Sequence, residues 1–140
     1  MYPTFQNLHS LFAYFVIIVL AAATINAIIG WLNKKIFTTK DLRLSLFALI
    51  FSHLQLLIGF ILYFVSPKGA DAIGEMKISE LRLTWLEHPL MNIIAIALIT
   101  IGWSKHKKQT DDLNKFKKIA FFYGVGLLFI LSRIPYKNWL

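Results

Sequence analysis

From Leu44 to Pro67 the chain reads LSLFALIFSHLQLLIGFILYFVSP, without one Asp, Glu, Lys or Arg. At 1.5 Å rise per residue, about 20 mainly apolar residues cross the hydrocarbon of a bilayer, so this run is long enough to span one. A water-soluble fold would instead have to bury several all-apolar helices in 140 residues, of which 57% are hydrophobic and only 16% charged. That leaves too little charged surface for a soluble domain of this size.

Three more apolar stretches accompany it. The first span is predicted over about 8–31, with Asn26 as its one strongly polar side chain and Ala23, Ala27 and Gly30 at spacings that permit close helix contact. No charge precedes Lys34, and MYPTFQNLHS lacks a basic n-region, so this stretch is read as retained helix rather than a cleaved leader. The second span covers about 41–65, with Thr38 or Thr39 as its cap. Ser45, Ser52 and Gly59 recur every seven residues and, with Ala48, form a packing seam. The third span lies at about 83–103, with Glu87, His88 and Pro89 near its first end, and Pro89 marks a kink or the start of its regular part. Trp85, His88, Asn92, Ala95, Ile99 and Gly102 share one face, which should turn to the bundle rather than to lipid. The fourth span, about 116–134, is short but can cross with its lysines snorkelling; Gly124 and Gly126 thin it, Pro135 stops it, and Tyr136 and Trp139 suit an interface.

The links order these spans. Ten of the fifteen Lys and Arg lie in the two links that follow the first and third spans. The positive-inside bias places both links in the cytoplasm, and hence both termini and the central loop outside. The expected fold is all-α: one integral membrane domain over 1–140, an up-down-up-down four-helix bundle with both termini outward, in a bacterial inner membrane. The net charge of +8 sits beside apolar runs, as for anchoring to anionic lipid. With no zinc finger, RNA-recognition signature or phosphate-binding glycine loop, no nucleic-acid partner is expected. The absence of cysteine excludes disulfides, thiolate metal sites and covalently attached c-type haem. No HExxH-like spacing, nucleophile elbow or long inverted repeat points to a metalloprotease, a serine hydrolase or a transporter.

The histidines carry the functional expectation. Imidazole is a good axial ligand for haem iron, and a porphyrin needs apolar walls with cations near its propionates. His53 lies about 18 Å, and His88 about 22 Å, from the cytoplasmic end of its span. Helix tilt or the break at Pro89 would absorb that difference. His53 and His88 are therefore the expected pair for a non-covalent haem b, with Arg133 or Arg82 near the propionates, and His9 with His88 is the rival pair. Each has a plainer reading: an interhelical hydrogen bond for His53, a bent helix start for His88, an interfacial structural role for His9. Quinone or proton handling is a further option for His53. His106, among lysines, reads as a solvated surface residue, and Glu87 as a member of an interfacial ion pair with Arg82 or Arg133.

Three segments carry a resemblance: INAIIGWLNKKIFTTKDLRLSLFALIFSHLQLLIGFILYFVSP, EHPLM at Glu87 to Met91, and FKKIAFFYGVGLLFILSRIP at Phe116 to Pro135. On these the chain resembles the small four-helix inner-membrane proteins of Bacteroidota-type bacteria commonly labelled cytochrome-b-like. The resemblance implies membrane location and haem binding. The pattern of larger cytochromes b, two histidines on each of two helices for stacked haems, is absent. The functional expectation is thus a haem-b-binding electron-transfer protein or subunit that exchanges electrons with quinone and needs a redox partner for transfer across the whole bilayer. The alternative is a cofactor-free accessory subunit of a larger membrane complex, or a homo-oligomer.

Overall fold

The computed structural model describes residues 2–134; Pro135, Tyr136 and Trp139 lie outside the described residues. All regular structure among these is helical. Helix α1 runs Tyr2–Leu32 and α2 runs Thr39–Val65. After a turn of 3₁₀ helix at Ala70–Ala72, α3 (Ser79–Arg82) continues through a π-helical turn, Leu83–Glu87, into α4 (His88–Lys107). Helix α5 is Asp112–Ser132. The chain therefore makes an up-down-up-down four-helix bundle, with α3, the π turn and α4 acting as one member. Neighbours pack in a ring, α1 on α2 and α5, α4 on α5 and α2.

Three of these members are long and apolar enough to cross a membrane: Pro3–Leu32, Thr39–Val65 and Leu83–Lys107. Helix α5 has the same direction but a shorter uncharged stretch, because Lys115, Lys117 and Lys118 fall within its first two turns. It holds its place by burial, with Phe116, Ile119, Ala120, Tyr123, Gly126 and Ile130 facing α1 and α4. The many large apolar side chains left exposed on α1 and α2, such as Ile18, Ile25, Phe47, Leu57 and Phe64, are what lipid-facing surfaces require.

The small-residue faces form the seams. Ala23 and Ala27 of α1 are buried, as are Ser45, Ala48 and Ser52, the buried residues of α2. Both serines return their hydroxyl protons to the carbonyl one turn back, Ser45 to Asp41 and Ser52 to Ala48, so neither brings an unpaired group into the core. Ala95, Ile99 and Gly102 bury the predicted face of α4. Thr38 caps α2: its N–H and its hydroxyl both donate to Asp41 Oδ2, at 2.9 and 3.0 Å. Asp41 Oδ1 accepts from Asn26 Nδ2 at 2.8 Å, so a polar side chain from the second half of α1 fastens the start of α2.

At the lysine-rich end one expectation is corrected. His106 is not a solvated surface residue but is 2% exposed. Its ring lies 4.6 Å from that of Trp103 and 5.4 Å from that of Phe37, and Nδ1 donates to the Trp103 carbonyl at 2.6 Å. The link after α1 folds Phe37 back over the end of α4, which sequence distance alone does not reveal.

Candidate functional site

At the end opposite the lysine-rich links, a crevice opens between α1, α2 and α4, floored by Ile130 and Ile134 from the end of α5. Its walls are mostly apolar, and His9, Gln55, His88 and Asn92 bring polar atoms into it. The enclosed part measures about 160 Å³, the size class of a cavity that takes a single benzene ring. The crevice is partly open, so a larger flat ligand extends beyond that volume.

The π-helical turn sets His88. Immediately before Pro89, which has no N–H to give, the chain widens to π geometry and then resumes α geometry at His88. This turns His88 toward the end of α5, where Nδ1 lies 3.0 Å from the Arg133 carbonyl. A carbonyl only accepts, so in that contact Nδ1 donates, whereas the Asn92 amide nitrogen 3.1 Å from the same Nδ1 would donate to it in the other tautomer. Asn92, one turn on, donates to the His88 carbonyl at 2.5 Å and lies beside the ring. His9 approaches from α1, its ring centroid 6.2 Å from that of His88 and the two planes at 83°. Gly59 makes room for it: a Cβ there would stand 3.2 Å from His9 Cε1. Gln55, one turn earlier on α2, donates to the His9 carbonyl at 2.8 Å. His9 Nδ1 and Gln55 Oε1 are both buried without a hydrogen-bond partner.

Of the two histidine pairs, the fold brings together His9 and His88 and does not bring His53 to either. His53 is exposed on the outer side of α2. Its Nδ1 is spent on the Leu49 carbonyl at 2.8 Å, and Nε2 faces Thr100 Oγ1 of α4 at 3.4 Å. Thr100 is twelve residues, about 18 Å along the helix, from His88. Neither tilt nor the π turn closes that gap. Arg82 and Arg133 are not among the residues that line the crevice; Glu87 holds both, at 2.7 Å to Arg82 Nε and 3.3 Å to Arg133 Nε.

Among the described residues no group of three His, Cys, Asp or Glu side chains converges, and the two imidazoles that meet are those of His9 and His88. Ligating histidines also characteristically donate their other N–H to a carbonyl or carboxylate, as His88 does to Arg133. His9, with Nδ1 unpartnered, lacks that support.

Gln55 is a polar residue of the crevice that attention to the histidines alone passes over. It lies three residues after Ser52 and four before Gly59, on the same helical face as the small-residue seam, and that periodicity was the signal for it. Two aromatic residues tie the loop over this end: Tyr63 Oη donates to the Trp85 carbonyl at 2.9 Å, and Trp85 Nε1 to the Glu75 carbonyl at 2.8 Å. No family model matches the chain, and searches of curated proteins and of solved structures return no match.

Proposed function

We propose that the chain is a membrane electron-transfer protein or subunit that holds haem b in this crevice, with His9 and His88 as the axial pair. The observation that carries the reading is the meeting of two imidazoles from separate helices, 6.2 Å apart, in a mostly apolar crevice. When bound, haem supplies one-electron chemistry at an iron whose potential follows its ligands and their surroundings. The chain's own part would be to present the His9 and His88 imidazoles and to line the site with Ile96, Ile130 and Ile134, with Arg82 or Arg133 available to propionates. The reading includes a bacterial inner membrane with the lysine-rich links in the cytoplasm, supported by the charge bias of the links. The crevice then faces outward, and a redox partner takes or delivers electrons there.

A second reading is favoured by the enclosed volume and by Gln55. A quinone-class ring is close to benzene in size, and its reduced hydroxyls would donate to Gln55 Oε1 while its carbonyls accept from His9. One preparation tests both: a reduced-minus-oxidised absorbance spectrum of protein purified after haem-replete expression, with an organic extract of the same sample. An iron-porphyrin band abolished in His9→Ala and His88→Ala but kept in His53→Ala is the expected result. A colourless protein that carries quinone, lost in Gln55→Leu, replaces the first reading with the second. A colourless protein free of quinone defeats both and favours the accessory-subunit role.

A further inference from the structure

Helix α1 ends on a residue type that seldom ends helices this way. Lys35 N–H donates to the Gly30 carbonyl at 3.0 Å and Lys34 N–H to the Trp31 carbonyl at 3.3 Å, the paired bonds of a Schellman turn. The left-handed residue of that turn is usually glycine, and here it is Lys34, with φ +52°. It is the one described residue other than glycine with a positive φ. Glycine would take the turn without steric cost, so the backbone gains nothing from lysine there, and the side chain is what distinguishes the two.

The surroundings supply a use for that side chain. Gly30 lets the Phe116 ring of α5 pack directly on the α1 backbone, which brings the end of α1 and the start of α5 to one corner. From α5, Lys117 places Nζ 5.9 Å from the centroid of Trp31, the residue three before Lys34. Lys115 lies over Phe37 at 5.7 Å and Lys107 over Trp103 at 5.9 Å, so aromatic faces at this end of the bundle hold three ammonium groups. Two of the nearby carboxylates are already in use at helix starts. Asp41 is held by Asn26 and Thr38, and Asp111 accepts from Asn114 N and Nδ2. Among the described residues the ion pairs are those of Glu87 with Arg82 and Arg133, at the opposite end.

We infer that the corner formed by Trp31, Lys34 and Lys117 binds the phosphodiester headgroup of an anionic phospholipid, whose acyl chains run along the exposed apolar face of α1. A charged phosphate in the interface draws on lysines that lack carboxylate partners. The occupant is a lipid rather than a soluble anion because the corner adjoins exposed Ile25, Ile28 and Ile29 of a membrane-length helix.

The test is thermal unfolding of the full chain in nanodiscs of neutral phosphatidylcholine and in nanodiscs containing phosphatidylglycerol. A detergent sample titrated with inorganic phosphate forms the third arm. Wild type is expected to melt several degrees higher with phosphatidylglycerol and to be unmoved by phosphate. Lys117→Gln should lose most of that rise, while Lys77→Gln, in the loop at the far end, should keep it. Lys34→Gly is the decisive variant: it should melt higher than wild type in neutral lipid, because the turn is relieved, yet gain less from phosphatidylglycerol. The inference is overturned if wild type shows no rise, if all three variants keep the full rise, or if phosphate alone reproduces it.

Discussion

Single side chains in this protein are decided by what they meet across a helix seam. Asn26 is the plainest instance. Hydropathy treats it as a defect in α1, and replacing it with leucine should improve a span, yet its amide holds Asp41 at 2.8 Å. Asn26→Leu is therefore expected to destabilise the protein by about 1–2 kcal/mol, as for loss of a hydrogen bond to a charged group. A higher melting temperature in detergent for the variant would show that the bond contributes nothing. The same rule separates His53 from Gln55. They are two positions apart, about 200° around the helix, so only one can face the crevice. The chemistry of imidazole draws attention to His53, but the helical period that aligns Ser52 and Gly59 selects Gln55. His88 was legible as a member of the polar face of its span, and His9 as an outer-end residue. Their meeting was one of two pairings the sequence offered, and the choice between them was not legible, since it depends on the packing of helices distant in sequence.

At the scale of elements, the helices were readable from run length and their ends less so. Helix α1 begins at Tyr2 rather than near Leu8, because uncharged polar residues at its start do not interrupt a helix. The third span begins at Leu83 as expected, but the helix that carries it starts earlier, at Ser79, and passes through a π turn, which the sequence marks only by Pro89. Gly124 and Gly126 look alike in sequence and differ in the bundle. A Cβ at Gly126 would lie 2.9 Å from Ile99 Cγ1 and 3.0 Å from the Ala95 carbonyl oxygen, and the backbone atom cannot step aside. At Gly124 the nearest atom is Thr24 Cγ2 at 3.5 Å, an ordinary contact. Gly126→Ala should thus cost about 1–3 kcal/mol through overpacking of the α4–α5 seam. Gly124→Ala should be neutral or stabilising, because alanine favours helix over glycine by about 1 kcal/mol. Equal melting temperatures for the two variants would mean that α4 and α5 do not approach this closely.

Taken whole, the molecule separates two chemistries onto its two ends. The lysine-rich links close one end over the buried ring of His106, while the other holds two imidazoles and a three-membered Arg82–Glu87–Arg133 ion pair around a crevice. Length and charge bias were enough to order four helices and to sort these ends, because a bilayer demands apolar length and lysines avoid its core. The register between α1 and α4, on which the site depends, follows from side-chain packing that no local pattern records. That register can be measured directly in native membranes, since the chain has no cysteine to interfere. The pair His9→Cys with His88→Cys is expected to be joined by a short bismaleimide within one chain. The pair His53→Cys with His88→Cys, held about 18 Å apart along α4, should not be. Cross-linking of the second pair and not the first would contradict the proposed site and the helix arrangement that builds it.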